Sequence, residues 1–246
     1  MLAEPADQIR LLELADLDQE LGRVQHAAQA LPEHKQINEL MAARQEVTDA
    51  LVAVTTEVDD LQVAVRRAEA DLVPVKQRLE RDARRVEDGS VTDGKTLRGL
   101  IDEVEHIKRR IATLEDEQLE VMGQLEDAES RKRDIEQRKT GIEARLRDLV
   151  GVRNEKVGAL QAEAGEISAS RKARAAAVAA DLLKLYERIR EQRGLGAARL
   201  ARGRCSGCQL EITVSDLDTY RKAPANQVLR CVECDRILVR TAESGL

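Results

Sequence analysis

The residues with the most specific chemistry are four cysteines near the end of the chain. They form two Cys-x-x-Cys pairs, Cys205 with Cys208 and Cys231 with Cys234, separated by twenty-two residues. A two-residue spacing brings two sulfur atoms to one side of a tight turn. Two such turns that face each other offer four thiolates to one ion, typically Zn²⁺ with Zn–S distances of about 2.3 Å. The pattern therefore predicts a structural zinc site with all four cysteines as ligands.

Other interpretations of the cysteines are weaker. A redox Cys-x-x-Cys pair belongs to a βαβ setting, which this segment lacks, and structural disulfides belong to oxidising compartments. Another thiophilic metal is the remaining alternative. Four protein ligands fill the tetrahedral coordination sphere of zinc, so the site is expected to be structural rather than catalytic.

The composition indicates long helices. Charged residues make up 35% of the chain, aromatic residues 1%, and Phe and Trp are missing. Compact cores depend heavily on aromatic rings, so we expect little material for a globular core. The segment Met1–Pro5 does not resemble a signal peptide, and no apolar run approaches the eighteen residues of a membrane helix. We expect a cytoplasmic protein without a membrane partner.

Two long heptad seams predict an antiparallel coiled-coil hairpin. Apolar residues recur in steps of three and four from Val47 to Leu79. The same spacing returns from Leu97 to Leu149, where Gln118, Lys132 and Lys139 occupy three of the seam positions. Residues 87–94 between them are rich in Gly, Ser, Thr and Asp, as in a turn followed by a new N-cap. In such a hairpin the numbers of facing residues should sum to about 183. A break is expected near Pro32, and a bend at Pro74.

The fold class predicted is therefore mainly α: a long antiparallel coiled-coil helical hairpin with a small C-terminal β zinc ribbon. We expect the hairpin to occupy residues 1–193 and the C4-type zinc ribbon residues 194–246. Within the ribbon, alternating residues predict strands at 209–214, 227–230 and 236–240, with a helical turn from Asp216 to Lys222. A module of this size requires its metal to fold.

A basic cluster surrounds the ribbon and is a candidate surface for nucleic acid or a protein partner. Between residues 171 and 204 there are ten Lys or Arg but only three Asp or Glu. Such a cluster could neutralise phosphates. The candidate residues are Arg188, Arg190, Arg193, Arg199, Arg202, Arg204, Arg221, Lys222, Arg230 and Arg236.

The chain resembles the bacterial coiled-coil zinc-ribbon family with a C4-type ribbon. The resemblance rests on the segments Tyr186–Arg190, Gly203–Cys208 and Cys231–Leu238, and on residues 91–105 at the start of the second helix. The resemblance implies a nucleic-acid-binding role, and for some members an adaptor or chaperone role in flagellar and secretion systems. Nothing in the sequence indicates a flagellar context. Asp235 stands where members often have glycine after the last cysteine, so we expect the second Cys-x-x-Cys turn to differ from the one usual in the family.

Three functions can be compared on this basis. An enzyme is disfavoured, because no nucleophile with its base, phosphate-binding loop or open metal site is visible. A non-enzymatic adaptor, in which a stiff hairpin presents a ribbon that docks protein partners, fits the composition best. The alternative is a regulatory protein that binds DNA or RNA. Only Tyr186 and Tyr220 could stack on bases, which counts against that alternative. No small-molecule substrate is expected.

Overall fold

The computed structural model describes all 246 residues, and most of them are helical. The mainly α fold with a small β region is confirmed. The helices are α1 (Pro5–Gln29), α2 (Pro32–Glu87), α3 (Gly94–Ala175), α4 (Ala180–Arg193) and α5 (Val214–Lys222). The strands are β1 (Ala197–Ala201), β2 (Arg204–Cys205), β3 (Leu229–Arg230) and β4 (Ile237–Arg240).

The helix boundaries follow local sequence signals. Pro32 is the first residue of α2, a position where its missing N–H and fixed φ are tolerated. The predicted break near residue 32 is therefore confirmed. The carboxylate of Asp93 accepts the backbone N–H of Thr96 at 2.8 Å and caps α3, so the turn predicted at 87–94 is also confirmed. α2 continues through Pro74, and α3 continues through residues 165–170.

Contacts group the chain into two compact units. The hairpin unit is Lys35–Val150, and the ribbon unit combines Met1–His34 with Gly151–Leu246. This grouping differs from the expected division at residues 193 and 194. The reason is that α1 and α4 contribute core residues that pack on the sheet of the ribbon, although both also carry helical periodicity.

The hairpin unit is held together by the predicted aliphatic seam. Leu72 of α2 packs in one cluster with Ile107, Ile111 and Leu114 of α3. Leu72 and Ile111 satisfy the predicted sum of 183. Most other buried positions of the unit also lie on the two predicted seams: Val47, Val54 and Val58 on α2, and Val104 and Ala128 on α3. Ile37, also buried, precedes the first seam.

Ion pairs between α2 and α3 flank the seam. Arg131 pairs with Glu57 at 2.7 Å, Arg78 with Glu103 at 2.7 Å, and Lys76 with Glu115 at 2.6 Å. All of these side chains are well exposed, so water and salt screen each pair and its contribution to stability is small. The seam, rather than the ion pairs, therefore supplies most of the stability of this unit.

The ribbon unit contains a four-stranded sheet with the order β2-β1-β4-β3. β1 and β4 are parallel, and the other neighbours are antiparallel. The strands predicted at 227–230 and 236–240 overlap β3 and β4, and the predicted helical turn is α5. The strand predicted at 209–214 is wrong: only Glu211 forms a bridge, with Arg204, and Thr213 caps α5. β1 was not predicted, because its Ala-rich sequence has little β-propensity.

Alternation along β1 and β4 creates a core on each face of the sheet. Ala197, Ile237 and Val239 face one core, which also holds Leu11, Leu12, Leu14 and Ala15 of α1 and Leu182, Tyr186 and Ile189 of α4. Ala198, Leu200 and Leu238 face the other core with Tyr220 and three of the cysteines. The expectation of little globular core is therefore wrong for this unit. Leu14 lies in the first of these cores, although the sequence analysis assigned it, with the rest of residues 1–193, to the hairpin.

Candidate metal centre and its surroundings

The four predicted cysteine ligands converge on one point. Their Sγ atoms all lie within 4.8 Å of one another. The Sγ atoms of Cys205 and Cys234 are 3.8 Å apart, as are those of Cys208 and Cys231. Four sulfurs at about 2.3 Å from a tetrahedral Zn²⁺ would be separated by roughly 3.8 Å, whereas a disulfide requires about 2.05 Å. The cysteines therefore fit a structural zinc ion, and all four would hold it.

The two Cys-x-x-Cys turns have the same backbone geometry. In the first, the N–H of Gln209 donates to the carbonyl of Cys205 at 2.8 Å. In the second, the N–H of Asp235 donates to the carbonyl of Cys231 at 2.9 Å. Gln209 and Asp235 both have left-handed φ values, +64° and +63°. The expectation that Asp235 alters the second turn is therefore wrong, because Asp adopts the conformation that glycine would.

Arg236 connects the first turn to the end of α4. Its guanidinium donates to the carbonyl of Arg193 at 2.7 Å, to that of Leu195 at 3.1 Å and to that of Gly207 at 3.3 Å. A Cβ at Gly207 would lie 2.7 Å from Cδ of Arg236. Glycine at this position therefore lets the arginine lie against the turn, where it satisfies a free carbonyl at the helix end.

Burial of two of the four thiols, Cys205 and Cys231, favours their protonated form when no cation is present. Burial raises the pKa of Cys205 to about 12, and burial also raises the pKa of Cys231. Burial acts on Cys234 in the same direction, but hydrogen bonds from the backbone and side chain of Arg236 stabilise its thiolate and lower its pKa to about 7. Zinc binding must therefore displace protons from this site.

Comparison with protein families agrees with this geometry. Residues 14–194 match the model of the CT398-like coiled coil hairpin domain, and residues 204–238 match the model of the C4-type zinc ribbon domain. The chain belongs to the CT398-like coiled-coil hairpin family. The resemblance seen in the sequence is thus confirmed, and the zinc ribbon identifies the cofactor as structural zinc.

Relatives of this family match nearly the whole chain. Two proteins of Mycobacterium tuberculosis strains, each named as uncharacterized, are 33% identical over 98% of both chains. A solved structure from Mycobacterium smegmatis is 32% identical, with a TM-score of 0.85 over 98% of this chain and 100% of that one. The CT398 structure from Chlamydia trachomatis is 15% identical and shares the fold, with a TM-score of 0.72 over 96% of this chain and 98% of that one.

A buried polar network joins three helices of the ribbon unit. The Asp18 side chain is 1% exposed and accepts Nε of Arg171 at 2.5 Å. It also accepts Nε of Arg190 at 2.9 Å and the hydroxyl of Tyr186 at 2.6 Å. Glu187 pairs with both arginines. Every charge in the network therefore has a partner, which is the condition under which buried charges are tolerated.

This network explains a segment that the sequence analysis could only match to a family. Three residues of the segment Tyr186–Arg190 belong to the network: Tyr186, Glu187 and Arg190. Ile189 lies in the core, and Arg188 is exposed. Hydrogen bonding to Asp18 raises the pKa of Arg171, and burial followed by the bond to Asp18 raises that of Tyr186. The role of Asp18 was missed, because its partners are distant in sequence.

The ten candidate basic residues do not form one free surface. Six have partners within the protein: Arg190 in the network, Arg236 at the first turn, Arg199 with Asp16, Arg204 with Glu211, Arg221 with Asp218, and Arg230 with Asp235. The side chains of Arg188, Arg193, Arg202 and Lys222 are exposed and make no such contacts. Only these four offer a full set of donors to a ligand.

Both tyrosines are buried and use their hydroxyl groups. Tyr186 donates to Asp18, and Tyr220 donates to the carbonyl of Arg230 at 2.8 Å. Neither ring is therefore available to stack on a nucleic-acid base. None of the helices has the length and apolarity needed to span a bilayer.

Proposed function

We propose that this protein is a non-enzymatic adaptor in which the ribbon unit docks a protein partner and the coiled-coil hairpin serves as a stiff scaffold. The observation that carries the proposal is that most basic and aromatic side chains of the ribbon unit already have partners within the protein. Most of the basic candidates pair with carboxylates or carbonyls of the protein itself, and both aromatic rings are buried. Phosphate neutralisation and base stacking, on which nucleic-acid binding depends, therefore have few side chains to use.

The metal centre supports a structural rather than a catalytic role. Four cysteine ligands complete a tetrahedral zinc sphere and leave no position for water or substrate. Zinc thereby fixes two turns whose outward side chains, such as Val232, are exposed. Thiolate ligands of this kind persist in reducing compartments, so we further propose that the protein works in the cytoplasm.

In-cell photo-crosslinking tests this function. A photoreactive amino acid replaces Val232 in the second turn or, as a matched control, Val63 on the hairpin. These residues are 57% and 56% exposed. The adaptor predicts discrete protein adducts from position 232 that exceed those from position 63. The adducts should disappear when Cys231→Ser removes a zinc ligand.

Recovery of the adducts as protein or nucleic acid decides between the two functions. Adducts that are sensitive to protease and resistant to nuclease support the adaptor. If position 232 yields mainly RNA or DNA, or yields nothing above the level of position 63, the adaptor proposal is wrong. Mainly RNA or DNA adducts at position 232 would favour the alternative, a regulatory protein that binds nucleic acid.

A further inference from the structure

An open cleft in the ribbon unit brings together cations from separate parts of the chain. It has a volume of about 350 Å³ and lies between α4, the first residue and β3. Its lining consists of Met1, Asp181, Lys184, Leu185, Arg188 and Arg230. We call it the α4 cleft. Three cationic side chains and the single carboxylate of Asp181 are among these lining residues, in a protein whose net charge is −6.

Two of these cations have no partner within the protein. Lys184 and Arg188 are exposed, lie about one turn apart on α4, and make neither an ion pair nor a hydrogen bond. Arg190, two residues further on, has its guanidinium engaged by Asp18 and Glu187. The same short helix thus uses one arginine for its own network and leaves the donors of another free.

The third cation is held in place by its neighbours. Nε of Arg230 donates to the carbonyl of Asp235 at 2.8 Å, and its guanidinium also pairs with the Asp235 carboxylate. These contacts follow directly from the second Cys-x-x-Cys turn, since Asp235 is the residue after Cys234. The position of Arg230 therefore depends on the fold of the zinc site.

The cleft also has an apolar part on a rigid support. Leu185 is half-buried, and the Met1 side chain is 56% exposed. The opposite face of α4 places Leu182, Tyr186 and Ile189 in the core, so the helix is fixed beneath the cleft. An aliphatic side chain of a ligand could contact Leu185 and Met1 while an acidic group meets the cations.

We propose that the α4 cleft binds an acidic segment of a partner protein, with carboxylates against Lys184 and Arg188 and an aliphatic side chain against Leu185. The inference rests on the proposed adaptor function and specifies its partner. Charge complementarity supports it: the cleft is locally cationic on an acidic protein, which directs an acidic partner to this place.

A peptide fits the cleft better than a nucleic acid does. A phosphate backbone needs a continuous track of cations, whereas Arg199, Arg204 and Arg221 elsewhere on the ribbon unit are paired with carboxylates. No exposed aromatic ring is present to stack on a base, since both tyrosines are buried. Leu185 and Met1 give the cleft an apolar surface that a sugar-phosphate chain does not use.

Binding of defined probes to the full-length, zinc-loaded protein tests the proposal. The probes are a short fluorescent peptide of alternating Glu and Leu, the same peptide with Gln in place of Glu, and a single-stranded RNA of similar length. The account predicts that the Glu-Leu peptide binds and that Lys184→Glu with Arg188→Glu weakens it by at least about tenfold. Lys184→Gln with Arg188→Gln should weaken it less.

A matched control keeps the total charge change the same. Arg66→Glu with Arg67→Glu alters two exposed residues of the hairpin unit that make no ion pairs, and it should leave peptide affinity unchanged. Equal losses in both charge-reversed proteins would overturn the proposal, as would failure of the Glu-Leu peptide to bind. Stronger binding of the RNA, lost in the cleft variant, would assign the cleft to nucleic acid instead.

The crosslinking experiment separates failure of the cleft from failure of the adaptor function. If protein adducts at position 232 persist in the Lys184→Glu, Arg188→Glu protein, the adaptor stands and the cleft is not the docking site. If the wild-type protein yields no protein adducts, the adaptor function itself is wrong.

Discussion

The hairpin unit and the ribbon unit are ordered by different kinds of interaction. In the hairpin unit, buried aliphatic residues recur every three or four positions along α2 and α3, and exposed ion pairs flank them. In the ribbon unit, short segments from both ends of the chain surround a sheet, a cysteine cluster and the Asp18 network. One unit repeats a local pattern, whereas the other depends on a few contacts between distant residues.

From this difference we expect single substitutions to affect the two units unequally. In the seam, many similar contacts contribute to the free energy of unfolding, so each side chain contributes a limited part. In the ribbon unit, a few sites contribute most of it, and no similar contacts replace them. The two units can be followed separately, because the only aromatic residues, Tyr186 and Tyr220, lie in the ribbon unit. Tyrosine fluorescence therefore reports that unit, while far-ultraviolet circular dichroism reports all the helices.

The largest of the substitution effects is expected at Asp18. Asp18→Ala leaves the Tyr186 hydroxyl without its acceptor. It also removes the carboxylate that balances the charges of Arg171 and Arg190. Breaking a buried charge network of this kind costs about 3–5 kcal/mol. Denaturant unfolding followed by tyrosine fluorescence should show this loss.

Asp16→Ala is the matched control for Asp18→Ala. Asp16 is an exposed residue of the same helix and pairs with Arg199, so its loss should cost no more than about 1 kcal/mol. Similar unfolding midpoints for the two variants would show that the network does not concentrate stability as described.

A smaller loss is expected from the seam of the hairpin unit. Ile111 is buried in the cluster with Leu72, and Ile111→Ala should cost about 2–4 kcal/mol through lost burial and a residual cavity. Circular dichroism should show the change, while the tyrosine signal should keep its midpoint. Leu119→Ala, at a position 65% exposed on α3, is the control and should have little effect. A shift of the tyrosine midpoint by Ile111→Ala would mean that the two units unfold together.

A change of about 1–2 kcal/mol is expected at the left-handed residue of the first Cys-x-x-Cys turn, Gln209. Gln209→Val places a β-branched side chain at φ +64° and should destabilise the ribbon unit by about 1–2 kcal/mol. Gln209→Gly removes the steric cost and should be neutral or slightly stabilising. Competition with a chromophoric chelator measures both, since zinc affinity includes the free energy of folding. Equal affinities for the two variants would contradict the geometry of this turn.

The smallest effect concerns acid stability of the hairpin unit. The hydrogen bond from Arg131 lowers the pKa of Glu57, so this pair stabilises the unit at pH values above the ordinary Glu value of 4.5. The contribution should be lost as the pH falls through the lowered pKa. Glu57→Gln should therefore flatten the dependence of helical stability on pH in this range. An unchanged acid profile would show that the pair contributes nothing measurable.

The sequence was sufficient to predict those features that depend on local spacing. The Cys-x-x-Cys pairs, the seams, the turn at 87–94 and the pairing of Leu72 with Ile111 all follow from periodicity and turn chemistry. The cysteine pairs and the turn are recognisable within a few residues, and the helix pairing follows from aligning the two seams. The zinc ligands and most of the hairpin could therefore be derived before the structure.

The remaining features depend on long-range contacts that no local pattern specifies. β1 has an Ala-rich sequence and becomes a strand only by pairing with β4, about forty residues away. α1 has the same heptad-like spacing as the seams, yet Leu11 and Leu14 pack on the sheet. Asp18 resembles any solvated helical carboxylate in sequence, since Arg171, Tyr186 and Arg190 are more than 150 residues away.

Hydrogen exchange with and without zinc is the most direct test of the central claim, that a thiolate-bound ion orders the ribbon unit while the hairpin unit is ordered by its own seam. After removal of zinc by a strong chelator, the amides of β1, β4 and α5 should lose their protection, while those around Val54 and Ile111 should keep theirs. Loss of protection in both regions, or in neither, would contradict the account.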